Sequence, residues 1–193
     1  MKISITGVDE VGRGSLIGPV YAAAVIFKNN FDKKKIRDSK KLTKKNREML
    51  EKYIKKNSYW SIGSASLNEI EKLNILNASL LAMKRAIKKL NKKPSSVLID
   101  GNKTPKIENY NLKSVVKGDE KIPEISAASI IAKVARDRLI RKLSKKFTKY
   151  KWDKNAGYGT KHHLRAIKKF GVTIYHRKTF GPIHNILSPN KIT

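Results

Sequence analysis

The chain has 193 residues, 39% of them hydrophobic, with no cysteine and a formal net charge of +29 from 44 basic and 15 acidic residues. The length suits one domain with a real core. The lack of thiols excludes disulfide scaffolds, thiolate zinc sites and cysteine nucleophiles, and the longest apolar run, from Val20 to Phe27, is too short to span a membrane.

Residues 2–8 alternate polar and apolar, as a strand does, and Asp9 and Glu10 close it. Those acids interrupt the N-terminal region before an apolar signal peptide develops, so a cytoplasmic protein is expected. A glycine-rich turn leads into a buried-looking strand at 19–27. Residues 31–41 read as a basic loop, with Lys33, Lys34 and Lys35 a solvated charge run. Thr43 is placed to cap a helix running to about residue 57, and 59–65 reads as a third strand. A long helix opens at Ser66 or Asn68 and runs to Leu90. Its Leu73, Leu76, Leu80, Met83 and Ile87 recur at helical spacing as a core stripe. Val97, Leu98 and Ile99 form a short apolar strand that stops at Asp100, and 112–116 is another. Helices are expected over 126–146 and 161–170, with Gly157 breaking the chain between them and a less regular tail. The closely spaced first strands suit antiparallel pairing and the later ones parallel pairing, giving a mixed sheet flanked by helices.

Charge points to a polyanionic partner, most simply nucleic acid. Biased base composition competes as an explanation, because 35 of the 44 basic residues are lysine. The few acids are therefore more informative. Asp9 and Glu10 end an apolar strand, Asp100 directly follows another, and Asp137 shares a helical face with Val134 and Ile130. Singly, each reads as a turn acid, a cap or an ion pair, and for Asp137 the ordinary partner is Arg141, one turn on. Together, carboxylates at strand ends can converge at one sheet edge. Crowded carboxylates need protons or cations, and hard oxygen donors suit Mg²⁺ or Mn²⁺. Two such ions clamp the attacking and leaving oxygens of a phosphoryl displacement. Neighbours on a regular strand face opposite sides. Asp9 and Glu10 thus share a site only if the strand ends or bulges there, which the following glycines permit.

Residues 9–14 read Asp-Glu-Val-Gly-Arg-Gly. A dinucleotide fingerprint is disfavoured, since Ile17 stands where its third glycine belongs and a β-like segment follows. Gly12 and Gly14 instead permit close backbone approach to a nucleic-acid strand, where amides and carbonyls can contact a sugar 2′-hydroxyl. A plain hairpin turn is the alternative. His162, His163, His176 and His184 lack spaced partners and read as surface or core residues.

These residues resemble the signature of type 2 ribonuclease H, the ribonuclease HII family. Asp38-Ser39-Lys40-Lys41-Leu42, Leu73 to Ala78, Leu98-Ile99-Asp100-Gly101, Lys117-Gly118-Asp119, Ile125 to Lys133 with Arg136-Asp137, Gly157-Tyr158-Gly159-Thr160 and His176 to Pro182 resemble its further blocks, in order and over nearly the whole chain. Thr179 stands where the family more often has serine. The related ribonuclease HIII usually carries an extra N-terminal domain, and Arg13 favours type HII.

The resemblance implies an α/β, RNase H-like fold: a five-stranded mixed sheet flanked by helices, in a single catalytic domain over 1–193 with a helical C-terminal segment from about 145. It implies a hydrolase that cuts RNA in RNA–DNA hybrids and cuts 5′ of ribonucleotides embedded in DNA duplex, leaving 3′-hydroxyl and 5′-phosphate ends. It further implies Mn²⁺ or Mg²⁺ held by Asp9, Glu10, Asp100 and Asp137. Gly12, Arg13 and Gly14 would grip the ribose 2′-hydroxyl, Tyr158 would stack on the adjacent deoxyribose, and Ser39, Lys40 and Ser129 would contact phosphates. A monomer is the simple expectation. Two rivals remain: another RNase H-like nuclease, which would also cut all-DNA duplex, and a nonenzymatic basic RNA-binding protein, which would tolerate loss of Asp9 or Asp137.

Overall fold

The structure, a computed structural model, describes residues 4–36 and 43–188. Five strands make one mixed sheet in the order β3-β2-β1-β4-β5. They are β1 (Ile5–Val11), β2 (Val20–Phe27), β3 (Ser58–Ala65), β4 (Ser96–Asp100) and β5 (Leu112–Val115). β2 is antiparallel to both β1 and β3, whereas β4 is parallel to β1 and β5 is parallel to β4. β2 is buried on both faces, which explains its continuous apolar run.

One face of the sheet packs on α2 (Leu67–Lys88), through Val8, Ala22, Ala24, Ala78, Ala82 and Met83. The other face packs on α4 (Pro123–Lys146), with Ala23 and Val25 against Ala127, Ala128 and Ile131. Small residues let that helix descend onto the sheet. At Gly7 of β1 a Cβ would lie 2.0 Å from the backbone carbon of Glu124, so no larger residue fits there. α1 (Lys44–Asn57) lies outside α4, tied to it by a two-pronged Arg138–Glu51 pair with both contacts at 2.8 Å. The short α3 (Gly118–Lys121) precedes α4, and α5 (Trp152–Asn155), α6 (Lys161–Phe170) and α7 (Gly181–Leu187) follow it. These last helices close a third apolar cluster of Leu16, Ile17, Ile140, Trp152, Ile167 and Ile183.

Both expected caps form. Thr43 accepts from the Asn46 amide, and Ser66 makes a reciprocal capping box with Glu69. Several boundaries differ from the sequence reading. β1 continues through Asp9 and Glu10 to Val11, because both acids pair in register with Ala23 and Ala22 of β2. The long helix is broken at Asn74 (φ 64°), whose side chain accepts from the Asn77 amide and restarts the helix. α4 starts at Pro123, where proline has no amide hydrogen to leave unpaired. Lys33–Ile36 in the basic loop forms a 3-10 turn, and the tail contains a helix. Among the described residues, no helix is long and apolar enough to cross a membrane.

Candidate active site

The two central parallel strands set the site. Ile99 of β4 is the register partner of Val8 of β1, so Asp100 and Asp9, the next residues, stand at the same level on adjacent strands. Asp9 is only 6% exposed. Its Oδ1 accepts from the Glu10 amide at 2.7 Å, and the Ser129 side chain on α4 lies near enough to favour its ionised form. Burial first, then the charge of Glu10, hold the Asp9 carboxyl well above the usual aspartate range, and Asp100 adds to the rise. Glu10 is raised as well, mainly by burial, and the Arg13 guanidinium at 3.1 Å opposes that rise. Asp100 accepts from the amides of Gly118 (2.7 Å) and Asp119 (3.3 Å) at the start of α3.

Asp9 thus feels the charges of Glu10 and Asp100, and Glu10 that of Asp100, although β1 neither ends nor bulges at the two acids and so sends the Asp9 and Glu10 side chains to opposite sides of the strand. Asp137 lies two turns beyond Ser129 on α4 and is ion-paired with Lys133 at 2.8 Å. Arg141, its expected ordinary partner, pairs instead with Glu48. Among the described residues, no three His, Asp or Glu side chains already converge as a cation cage. The donor set still fits a hard divalent ion. It is all oxygen, and the ionised form of its innermost member is opposed by burial and by two neighbouring carboxylates, a balance that a cation reverses.

The glycine turn adjoins this group. Gly12 has φ +93°, and a Cβ on it would lie 2.2 Å from Nε of Arg136. Arg136 is wholly buried on α4, so it cannot yield. Its guanidinium donates to the carbonyls of Ile17 (3.3 Å) and Ala156 (3.2 Å). A second fully buried guanidinium, Arg177, donates to the carbonyls of Gly18 (2.9 Å) and Arg13 (2.8 Å). Burial, and then the charge of Arg136, pull Arg177 down to about 9. Arg177 therefore holds the turn at the Arg13 carbonyl, while Arg136 lies against Gly12 and ties down the flanking carbonyls of Ile17 and Ala156. The sequence suggests a structural role or a phosphate contact for Arg177, and the structure gives the structural one, whereas the role of Arg136 was not legible. The signal for Arg136 is its position four residues after Ala132 and four before Ile140, on the core stripe of its helix.

Tyr158 completes this corner. Its ring is 37% exposed, with the Arg136 guanidinium 5.9 Å from its centroid, and a Cβ on Gly14 would sit 3.7 Å from the ring. Ser15 and Tyr158 form an isolated β-bridge. The backbone of Tyr158 is held by a buried histidine pair. Trp152 Nε1 donates to Nε2 of His163 (2.9 Å), so His163 carries its proton on Nδ1 and donates to the Tyr158 carbonyl (2.9 Å). The Thr173 amide donates to Nδ1 of His176 (2.9 Å), so Nε2 of His176 carries the proton that faces His163 (3.3 Å). Burial lowers both rings, His176 to about 4. The two are thus core residues, as expected. Ser39 and Lys40 lie outside the described residues.

Comparison with known proteins agrees with this geometry. The ribonuclease HII family profile matches residues 6–182. The chain is 71% identical to the ribonuclease HII of Pelagibacter ubique over 187 residues, covering 97% of this chain and 100% of that one. Among solved structures, ribonuclease H2 of Pyrococcus horikoshii OT3 superposes with a TM-score of 0.81 at 26% identity, covering 97% of this chain and 98% of that chain. Bst-RNase HIII, determined in complex with Mn²⁺, shares the fold, with a TM-score of 0.70 at 16% identity, covering 98% of this chain and 70% of that chain.

Proposed function

Because the chain belongs to the ribonuclease HII family, we propose that its catalytic centre is the carboxylate group of Asp9, Glu10, Asp100 and Asp137. The protein is a type 2 ribonuclease H, a hydrolase. It cuts RNA in RNA–DNA hybrids, and the bond 5′ to a ribonucleotide embedded in DNA duplex, by divalent-metal-dependent endonucleolytic hydrolysis. Water oxygen bonds to phosphorus as the bond to the 3′-oxygen breaks, leaving a 3′-hydroxyl and a 5′-phosphate.

The observation that carries the assignment is the coupling of buried Asp9 with Glu10 and Asp100 beside the clamped glycine turn. The ions are Mn²⁺ or Mg²⁺, held by the four carboxylates, and when bound they supply Lewis-acid charge at the reacting phosphate. Ser129 orients the Asp9 carboxyl, which is a positioning role in addition to the phosphate contact suggested by resemblance. Lys133 neutralises Asp137 until substrate and cation compete for it. Gly12, Arg13 and Gly14 offer backbone to the ribose 2′-hydroxyl, and Arg13 can turn from Glu10 to a phosphate. Tyr158 tests the neighbouring deoxyribose by stacking. The chain works as one catalytic unit, a reading supported by the reach of Arg177 from the C-terminal segment to the turn, and as a monomer.

The test is a labelled duplex with one ribonucleotide, beside an all-DNA duplex, each with Mg²⁺, Mn²⁺ or chelator. Metal-dependent cutting 5′ of the ribonucleotide, absent from the control and from Asp9→Asn, is expected. Cutting of both duplexes would put the 2′-hydroxyl role of the glycine turn in error. Full activity in Asp9→Asn would remove the carboxylate assignment.

A further inference from the structure

The two ends of the sheet differ in chemistry. Pairing through β2 sets Tyr59 of β3 level with Ile26 and Thr6, at the end where β1 begins and away from Asp9. Thr6 lies three residues before Asp9, and β3 is two strands from β1, so at about 3.3 Å per residue and about 4.8 Å per strand the backbone at Tyr59 is roughly 14 Å from that at Asp9. β3 is an edge strand, and its Tyr59 and Trp60 are each 38% exposed. Lysines crowd both rings. The ammoniums of Lys28 and Lys92 lie 5.6 and 5.3 Å from the centroid of Tyr59, and that of Lys55 lies 4.2 Å from the centroid of Trp60.

Tyr59 forms the wall of a cleft of 420 Å³, together with Lys28, Lys92, Asn29, Asn30 and Asn57. Among the described residues, no carboxylate lines it. Lys28 is fixed at the rim by donating to the Lys56 carbonyl at 3.0 Å. Across the turn at 91–93 a broader hollow of 1110 Å³ presents Lys84, Lys88, Lys93 and Lys106, with Glu108 its one acid. An aromatic face, three carboxamides and unopposed ammoniums match one kind of ligand. The ring stacks on a base, the amides donate and accept at the base edge, and the ammoniums meet the phosphates. Paired bases are stacked on each other and offer no free face, so the ring selects an unpaired one.

We propose that this end of the sheet is a second nucleic-acid contact. It takes an unpaired base of a single strand on Tyr59 and leads the backbone along the lysines of the neighbouring hollow. A base that covers the ring displaces the ammonium of Lys92 toward the phosphate. The site is separate from the carboxylate end, so both can be filled at once.

The experiment measures anisotropy of a labelled, all-deoxy oligothymidylate of about 15 nucleotides with the full chain, Tyr59→Ala and Tyr59→Phe. Tyr59→Ala is expected to weaken binding roughly fivefold or more, while Tyr59→Phe retains it, because the contact is stacking. Both variants should cut a short ribonucleotide-containing duplex at the unaltered rate, which also shows that they fold. A Tyr59→Ala protein that binds the oligothymidylate as tightly as the unaltered chain overturns the proposal. So does complete displacement of the oligothymidylate by that short duplex, which would put the single strand on the carboxylate end.

Discussion

Asp9 is an acid in a place that disfavours its charge. The unfolded chain ionises it near the ordinary aspartate value of 3.8, whereas burial and Glu10 keep the native group protonated to higher pH. Its contribution to stability is therefore complete below that value and is lost as pH rises through the raised native one. Asp9→Asn keeps the shape without the charge. We expect it to abolish cleavage and yet to raise the metal-free thermal midpoint at neutral pH, by roughly 2–4 °C for each kcal/mol of relieved strain. Calorimetry with chelator checks this, and a lower midpoint would mean that the carboxylate is better compensated than its surroundings suggest. Gly12 behaves oppositely. Gly12→Ala drives a methyl group into buried Arg136 at a positive φ, so a loss of about 2 kcal/mol or more is expected in denaturant unfolding. Gly14→Ala meets Tyr158 only at ordinary contact distance. It should fold normally and lose activity through the obstructed turn.

Elements with a strong period were the most legible. The continuous run of β2 and the Met83–Ile87 end of the α2 stripe admit one reading, and the cap residues Thr43 and Ser66 fix their helix starts, whereas Leu73, expected in the core stripe, lies before the break at Asn74 and is exposed. The break at Asn74 was hidden because asparagine is compatible with both a helix and a left-handed turn. Strand β1 was read too short because acids usually mark strand ends. Its extension depends on partners in β2 that are distant in sequence. The acids and the glycine turn stood out by position, but buried Arg136 did not, since arginine normally signals surface. The loop carrying Tyr158 depends on such a hidden support. Its His163–His176 pair works only neutral, and His176 falls from 6.5 to about 4 on folding. The unfolded chain thus takes up protons first, so stability is full above about pH 6.5 and is lost progressively toward pH 4, on the order of 3 kcal/mol. Thermal midpoints measured across that range should fall, and His176→Phe should show a shallower slope whatever its absolute midpoint.

At the scale of the whole molecule the charge of +29 dominates. Each phosphate neutralised releases counterions, so affinity for duplex must fall steeply with salt. With six phosphate contacts the loss between 50 and 200 mM is about a thousandfold. Binding of uncleavable all-DNA duplex should follow the same slope as ribonucleotide-containing duplex in chelator, because the slope counts phosphates and not the 2′-hydroxyl. A slope near zero would show that the excess lysine reflects coding bias and serves no contact. The molecule also distributes its few acids unevenly. Three gather at one end of the sheet, and the cleft at the other end has none among the described residues, so the same net charge serves two different electrostatic surfaces.

The clamp from Arg177 to Arg13 and Gly18 spans more than 150 positions of the chain. A ribosome that has released only the first 150 residues has produced all five strands and the four carboxylates Asp9, Glu10, Asp100 and Asp137, but not the side chain that holds the glycine turn. Contacts so far apart in sequence close last. The nascent chain can therefore complete its sheet before it can discriminate sugars, and it acquires selectivity only as synthesis ends. Pulse-labelled chains arrested before Arg177 should resist protease in the sheet while the turn is still cut at Arg13.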